Sequence, residues 1–215
     1  MRMKLTENLQ SQIEKGISIL KKGGLVAYPT DTVYGLGASA MIPRAVERIY
    51  DVKKRPGNMA LPLLLADVSR INTVARSVPP LAWFLAGRFL PGALTLVLDK
   101  ADSVSGAITA GSNKVAVRVP AHPVPVALIR GLGAPIIGTS ANISGQSSAV
   151  TAGEVSSRIG AQIDLVIDGG PTPGGVASTV IDLTGDNPII LREGAVSRSK
   201  LEHACVSFDR SIVVL

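Results

Sequence analysis

The sequence predicts an α/β fold with a twisted mixed sheet, parallel and antiparallel, flanked by helices, and three observations carry that expectation. Segments with apolar residues at helical spacing alternate with short runs rich in branched residues, which is the pattern of helices packed on a sheet. The last strand candidates follow one another closely, too closely for helical crossovers, so some pairing must be antiparallel. A chain of 215 residues with 46% apolar content can bury one sizeable core and is short for two. A single domain over residues 1–215 is expected.

Leu9, Ile13, Ile17 and Leu20 share one helical face, with Thr6 as N-cap and Gly23-Gly24 as the stop. Leu25 to Tyr28 is a short strand that runs into Pro29 and a polar loop, and Ala45, Ile49 and Val52 mark a second helix from Pro43. Leu61 to Leu65 reads as a buried strand, Pro79 to Phe89 as a helix, and Leu94 to Leu98 and Val115 to Val119 as strands. A helix over Pro123 to Leu132, a strand at Pro135 to Ile137 and a helix from Thr151 to Ile159 continue the alternation. Leu165 to Ile167, Thr179 to Leu183 and Ile189 to Leu191 supply the last strands, while GGPTPGG from Gly169 to Gly175 is a loop rather than a linker.

Several function classes are set aside by composition. Apolar stretches such as Leu61 to Ala66 fall far short of the roughly 20 residues that cross a bilayer, so no membrane partner is expected. The charged N-terminal segment has no uninterrupted apolar run of the secretory kind, and Cys205 is the only cysteine, which excludes an intrachain disulfide. A cytoplasmic protein is expected. Lys and Arg number 22 against 16 Asp and Glu, a net charge of +6 that suits anionic partners, but the basic residues are dispersed. An aromatic content of 3% argues against a surface that stacks successive bases. No G-x-x-x-x-G-K-[ST] loop, strand-borne G-x-G-x-x-G or G-x-S-x-G elbow occurs, and His122 and His203 lack the partners of a zinc site or triad.

What remains is a set of polar loops, each placed just after an apolar strand or helix, where side chains can converge above one sheet edge. The first runs from Pro29 through Thr30, Asp31, Thr32, Val33, Tyr34 and Gly35 to Leu36; by composition it is equally a turn that bonds its own backbone. Lys53-Lys54-Arg55-Pro56 could complement a helix dipole or clamp a polyphosphate, Arg by its planar fork and Lys as a point charge. Gly138 to Gly145, with Thr139, Ser140, Asn142 and Ser144, could present N–H groups to an anion or cap the next helix. Arg118, Ser178 and Arg192 stand at strand ends.

Together these segments resemble the YrdC family of threonylcarbamoyl-AMP synthases. The family pattern is PT[ED]TVYGL, K-x-R before a proline-rich stretch, V-R-V-P, T-S-A-N-x-S-G, S-T-V and L-R-x-G. This chain reads PTDTVYGLG from Pro29, KKRP from Lys53, VRVP from Val117, TSANISG from Thr139, STVID from Ser178 and LREGAV from Leu191, all in family order across about Gly23 to Ala195. The resemblance implies a basic cavity and a reaction that joins L-threonine, bicarbonate and ATP, with Mg²⁺ carried by the ATP and no organic prosthetic group. Its product would serve N6-threonylcarbamoyladenosine formation on tRNA through downstream threonylcarbamoyl-transfer proteins.

Carried across by motif, Thr32, Arg118, Ser140 and Ser178 would hold threonine, and Lys53, Arg55, Asn142 and Arg192 the ATP. Thr30, Tyr34 and Thr139 would line the pocket, and no protein side chain is expected to ligate a metal. Many relatives carry a histidine in the strand after K-x-R; Leu61 to Leu65 has none, so altered threonine contacts are expected there, and the short, single-domain family form is expected overall. Two alternatives remain at this point. One is a noncatalytic module of the same fold that binds double-stranded RNA or tRNA by charge and shape; the other is a relative that transfers carbamoyl groups.

Overall fold

The computed structural model describes residues 6–206, 208 and 212–214. The first helix, α1 (Glu7–Lys21), begins where Thr6 Oγ1 accepts the N–H of Leu9 at 3.3 Å, and it ends before Gly23 at a φ of 80°. Strands β1 (Val26–Tyr28) and β2 (Gly35–Gly37) lead into α2 (Pro43–Lys53), β3 (Leu63–Leu64), α3 (Pro80–Phe89) and β4 (Leu94–Asp99). A short α4 (Gly106–Thr109) precedes β5 (Lys114–Arg118), α5 (Pro123–Leu132), β6 (Ile136–Ile137), β7 (Thr139–Ser140) and α6 (Ala152–Ile159). The chain continues through β8 (Leu165–Val166), β9 (Thr179–Asp182), β10 (Ile189–Arg192), α7 (Arg198–Val206) and β11 (Val213–Val214).

Among the described residues the strands form a four-stranded sheet in the order β7-β2-β1-β8 and a seven-stranded sheet in the order β11-β10-β9-β4-β5-β3-β6. Both are mixed: β4 runs antiparallel to β5 and parallel to β9, and β1 runs antiparallel to β2 and parallel to β8. The sheets meet where the residues after β2 pair with β6, through a bridge of Ser39 with Ile136 and the Ile137 N–H donating to Ala38 O at 2.8 Å. The main core lies under α2, α3, α6 and α7, and a second cluster packs α1 and α5 against Val26, Tyr28, Leu64, Ile136 and Ile167.

The expected helices and strands are present with ends moved by a few residues. The strand expected over Leu61 to Leu65 pairs only at Leu63 and Leu64. Two segments expected as loops contribute strands: Gly35–Gly37 pairs with β1, and Thr139–Ser140 pairs with Gly35 and Leu36. Neither carries a local strand signal, because a glycine-rich or hydroxyl-rich stretch becomes extended only when a neighbour supplies its hydrogen bonds. The helix α7 was also outside expectation; its buried residues, Leu201, Ala204 and Cys205, are too few and small to show as a stripe. His122 is a helix cap, its Nδ1 accepting the Val124 N–H at 3.3 Å, while His203 is exposed in α7.

The pairing of Tyr28 with Gly35 explains the glycines of β2. The Tyr28 ring lies flat across the strand, so a Cβ on Gly35 would meet Tyr28 Cε2 at 2.9 Å and one on Gly37 would meet Cε1 at 2.6 Å and Ile137 O at 3.2 Å. Gly37→Ala should therefore destabilise the protein by about 1–3 kcal/mol in urea unfolding. Gly57→Ala, where an added methyl meets open space, should change it by less than about 0.5 kcal/mol.

Candidate functional site

A hollow of about 390 Å³ opens on one face of the seven-stranded sheet. Its floor follows from strand alternation: on β5, Lys114, Ala116 and Arg118 point the same way, and so do Thr95 and Val97 on β4 and Val180 and Asp182 on β9. Leu64 of β3 completes it, in register with Arg118. The loops Thr30 to Val33, Arg55 to Pro62, Gly138 to Ser140 and Ala177 to Ser178 form the walls with Leu191 and Arg192. A larger hollow of about 840 Å³ lies on the opposite face, where Leu63 and Leu65 point. Its walls are mainly apolar, with Arg70, Thr73, Ser103, Ser105 and Arg130 among them, and none of the motif residues line it.

Arg118 organises one end. The residue is 7% exposed, and its guanidinium donates to Gly92 O at 2.9 Å, Thr32 Oγ1 at 3.0 Å and Asp31 Oδ1 at 2.7 Å. The Thr30 hydroxyl donates to Val33 O at 2.7 Å, so the 2.9 Å contact between the two threonines has Thr32 as donor. A single direction of donation results, from Arg118 to Thr32 to Thr30 to the backbone, and it fixes the Thr32 hydroxyl facing the hollow. Asp31 also accepts the N–H of Ala121 at 3.1 Å, which locks the loop after β1 onto the end of β5.

Opposite, Ser178 Oγ and Thr95 Oγ1 are 2.9 Å apart, and Arg192 donates to Ser178 O at 2.8 Å and to Ser178 Oγ at 3.3 Å. Gly194 makes this approach possible. A Cβ there would overlap Ala177 O and come within 2.6 Å of Ser178 C, backbone that cannot swing aside. Arg55 pins its own loop, donating to Met59 O at 3.1 Å and Ala60 O at 2.9 Å.

Thr30, Thr32, Arg55, Arg118, Thr139, Ser140, Ser178 and Arg192 thus gather around one hollow. Lys53, Asn142 and Tyr34, expected at the site as well, do not line the hollow. Lys53 is 1% exposed, and its ammonium donates to Ser140 O at 2.6 Å, Asn142 O at 2.8 Å and Asn142 Oδ1 at 3.3 Å, its three protons matching three oxygens. Burial, and then the neighbouring Arg55, push its pKa down to about 8. Asn142 in turn donates to Ile143 O and Gln146 O, so its amide serves the turn that follows. Tyr34 is fully buried and donates to Gly170 O at 2.8 Å; burial, with Asp168 nearby, pushes its hydroxyl up to about 12.

The charge balance of the hollow is cationic. Arg118 is paired with Asp31, whereas among the described residues Arg55 and Arg192 meet only neutral oxygens. Burial lowers the pKa of Arg192, and the positive charges of Arg118 and Arg55 lower it further. Guanidiniums held close enough to repel one another are an arrangement that an anion would relieve. Sequence reasoning missed Thr95, Ser112, Lys114 and Asp182, which also line the hollow, and the pairing role of Asp31. The available signals were the hydroxyl that interrupts the run Leu94 to Leu98 and the charges that begin β5 and end β9.

Comparison with known proteins places the fold among relatives. A family model described as Telomere recombination, Sua5_yciO_yrdC, matches residues 18–194. The chain is 43% identical over 192 residues to the threonylcarbamoyl-AMP synthase of Bacillus subtilis, covering 89% of this chain and 56% of that relative. The crystal structure of Pyrococcus abyssi Sua5 complexed with L-threonine is similar with a TM-score of 0.90 at 41% identity, covering 94% of this chain and 58% of that one. Escherichia coli YciO is similar with a TM-score of 0.82 at 31% identity, covering 89% of this chain and 93% of that one. The chain therefore spans little more than half the length of the first two.

Lys53→Met keeps the bulk and removes the donors, leaving the Asn142 carbonyl without its ammonium partner and the Ser140 carbonyl with the Asn142 N–H alone. Unfolding free energy should drop by about 2–4 kcal/mol in urea titration. A contact made only to a bound ligand would leave the stability of the free protein unchanged. Gly194→Ala should displace Ala177 and Ser178, seen as shifted amide resonances of those residues in heteronuclear NMR.

Proposed function

We propose that this chain, which belongs to the Sua5/YciO/YrdC family, is a threonylcarbamoyl-AMP synthase that joins L-threonine, bicarbonate and ATP into threonylcarbamoyl-adenylate and pyrophosphate. The observation that carries the reading is the meeting, in one hollow, of an oriented hydroxyl cluster beside a paired Arg118 with the uncompensated guanidiniums of Arg55 and Arg192. A small zwitterion with a hydroxyl suits the first group, and a triphosphate suits the second.

In this reading Thr32, Arg118 and Ser178 hold threonine, while Ser140 stands between the amino acid and the phosphates. Arg55 and Arg192 bind the phosphates, with Thr139 and Thr30 lining the pocket. Lys53 and Asn142 act from behind, by fixing the loop that carries Ser140. Leu64 takes the floor position of the strand in which many relatives carry a histidine, so threonine contacts at that point are apolar.

The threonine amine adds to bicarbonate-derived carbon dioxide and loses a proton, giving a carbamate. A carbamate oxygen then attacks the α-phosphorus, the bond to the bridging oxygen breaks, and pyrophosphate leaves with the electron pair. Charge stays on phosphate oxygens throughout, so cations aligned beforehand lower the barrier more than any proton donor would. The hollow offers guanidiniums and hydroxyls, a donor set for phosphate oxygens, and Mg²⁺ would enter on the triphosphate and neutralise part of its charge. The adenylate would pass to proteins that transfer the threonylcarbamoyl group to adenosine of tRNA in the cytoplasm. Among the described residues no helix is long and apolar enough to cross a membrane.

The purified chain should release pyrophosphate from ATP only when both threonine and bicarbonate are present; release independent of threonine, or none, contradicts the reading. Arg55→Ala should cut turnover more than about 100-fold while stability changes by less than about 1 kcal/mol. Ser178→Ala should raise the KM for threonine more than that for ATP, and equal losses would remove Ser178 from the amino acid site.

A further inference from the structure

The backbone around Ser178 is held from three sides by contacts that do not involve its hydroxyl. The Ala195 N–H donates to Ala177 O at 2.9 Å, the Thr179 N–H donates to Ala93 O at 3.0 Å, and Arg192 donates to Ser178 O at 2.8 Å. With the backbone fixed, the free variable at this residue is the direction of its O–H bond. Strand β4 sets that direction. Thr95 pairs with Val180 in the parallel register of β4 and β9, and its Oγ1 lies 2.9 Å from Ser178 Oγ.

Either hydroxyl can donate in that contact, and the surroundings determine which one does. Thr95 belongs to the floor of the hollow, is 2% exposed, and among the described residues its hydroxyl has Ser178 as its one partner. Were Ser178 the donor, the Thr95 proton would be left at the floor without an acceptor, and an unmade buried hydrogen bond costs more than a made one gains. With Thr95 as donor that proton is satisfied, and Arg192, at 3.3 Å, takes the second lone pair of Ser178 Oγ. A hydroxyl with both lone pairs taken can only donate. The Ser178 proton then points into the hollow.

We infer that Thr95 is a positioning residue for the amino acid site: its hydroxyl donates to Ser178 Oγ and turns the Ser178 proton toward the carboxylate of bound threonine. The inference rests on the threonine reading of the hollow and adds the group that orients its ligand. A Ser178 that can only donate offers nothing to an ammonium, so the nitrogen that must lose a proton and take up carbon dioxide lies away from it. The sheet itself does not require the Thr95 hydroxyl. On β4, Leu94, Leu96 and Leu98 alternate with Thr95 and Val97, so the position calls for a branched side chain, and valine has the same shape.

The test measures threonine affinity by calorimetry without ATP, and the KM values for threonine and ATP in pyrophosphate release. Thr95→Val should weaken threonine by about 5- to 20-fold while the KM for ATP stays within about 2-fold of wild type, and Thr95→Ser should restore most of the loss. In a Ser178→Ala background, Thr95→Val should add less than about 2-fold, because the hydroxyl it orients is gone. Should Thr95→Val fail to fold in a thermal melt, Thr95→Cys, a weaker donor of similar size, carries the same comparison. Equal losses for threonine and ATP, an unchanged threonine affinity, or full additivity with Ser178→Ala overturns the positioning role and leaves the synthase reading standing. Threonine binding that weakens through this pair, in a chain that releases no pyrophosphate, keeps the positioning role and overturns the synthase. A wild type that binds no threonine overturns both.

Discussion

A cation taken out of water must be surrounded by acceptors, and in this protein that requirement builds the site. Lys53, at the end of α2, reaches the carbonyls of Ser140 and Asn142, and Arg118, at the end of β5, reaches Gly92, Thr32 and Asp31. Each draws together segments far apart in the chain, and none of those acceptors is free to move without stranding a buried charge. The loop after β1, the loop after β7 and the ends of α2 and β5 are therefore held in one arrangement before any ligand arrives.

That internal use of charge divides the cations into two kinds. Lys53 and Arg118 are neutralised or saturated by the protein and set positions. Arg55 and Arg192 also touch backbone carbonyls, yet no carboxylate offsets them among the described residues, so their charge is left facing the hollow. A site of this kind suits chemistry in which charge moves between phosphate oxygens, because the stabilising dipoles and cations are already oriented. The folding cost of crowding guanidiniums is met by burial elsewhere, in the clusters beneath α2, α3 and α6 and between α1 and α5.

The sheet adds a second constraint, the strict alternation of faces. Leu63 and Leu65 look toward one hollow and Leu64 toward the other, so a one-residue slip of β3 would exchange the two. Elsewhere glycines stand where backbones or rings come too close for a Cβ: Gly35 and Gly37 beneath the Tyr28 ring, and Gly194 against Ala177 and Ser178. The glycines in YGLG and LREG are thus packing devices. They admit a ring or a strand.

Much of this was legible in the chain before folding was considered. Helices α1, α2, α3, α5 and α6 announced themselves because their apolar residues repeat every turn, a property of the local sequence alone. Thr32, Arg55, Arg118, Ser140, Ser178 and Arg192, which line the hollow, were marked by their short motifs and their order. Which of the marked residues face the hollow was decided only by tertiary structure. Lys53 and Asn142 carry the right chemistry but spend it on each other and on backbone, while Lys114, Asp182 and Thr95 look like ordinary strand residues until β4, β5 and β9 lie side by side. The reason is physical: the type of a side chain is written at one position, but what it touches depends on strand pairing and on where buried charges find their acceptors. Those partners come from residues tens of positions away.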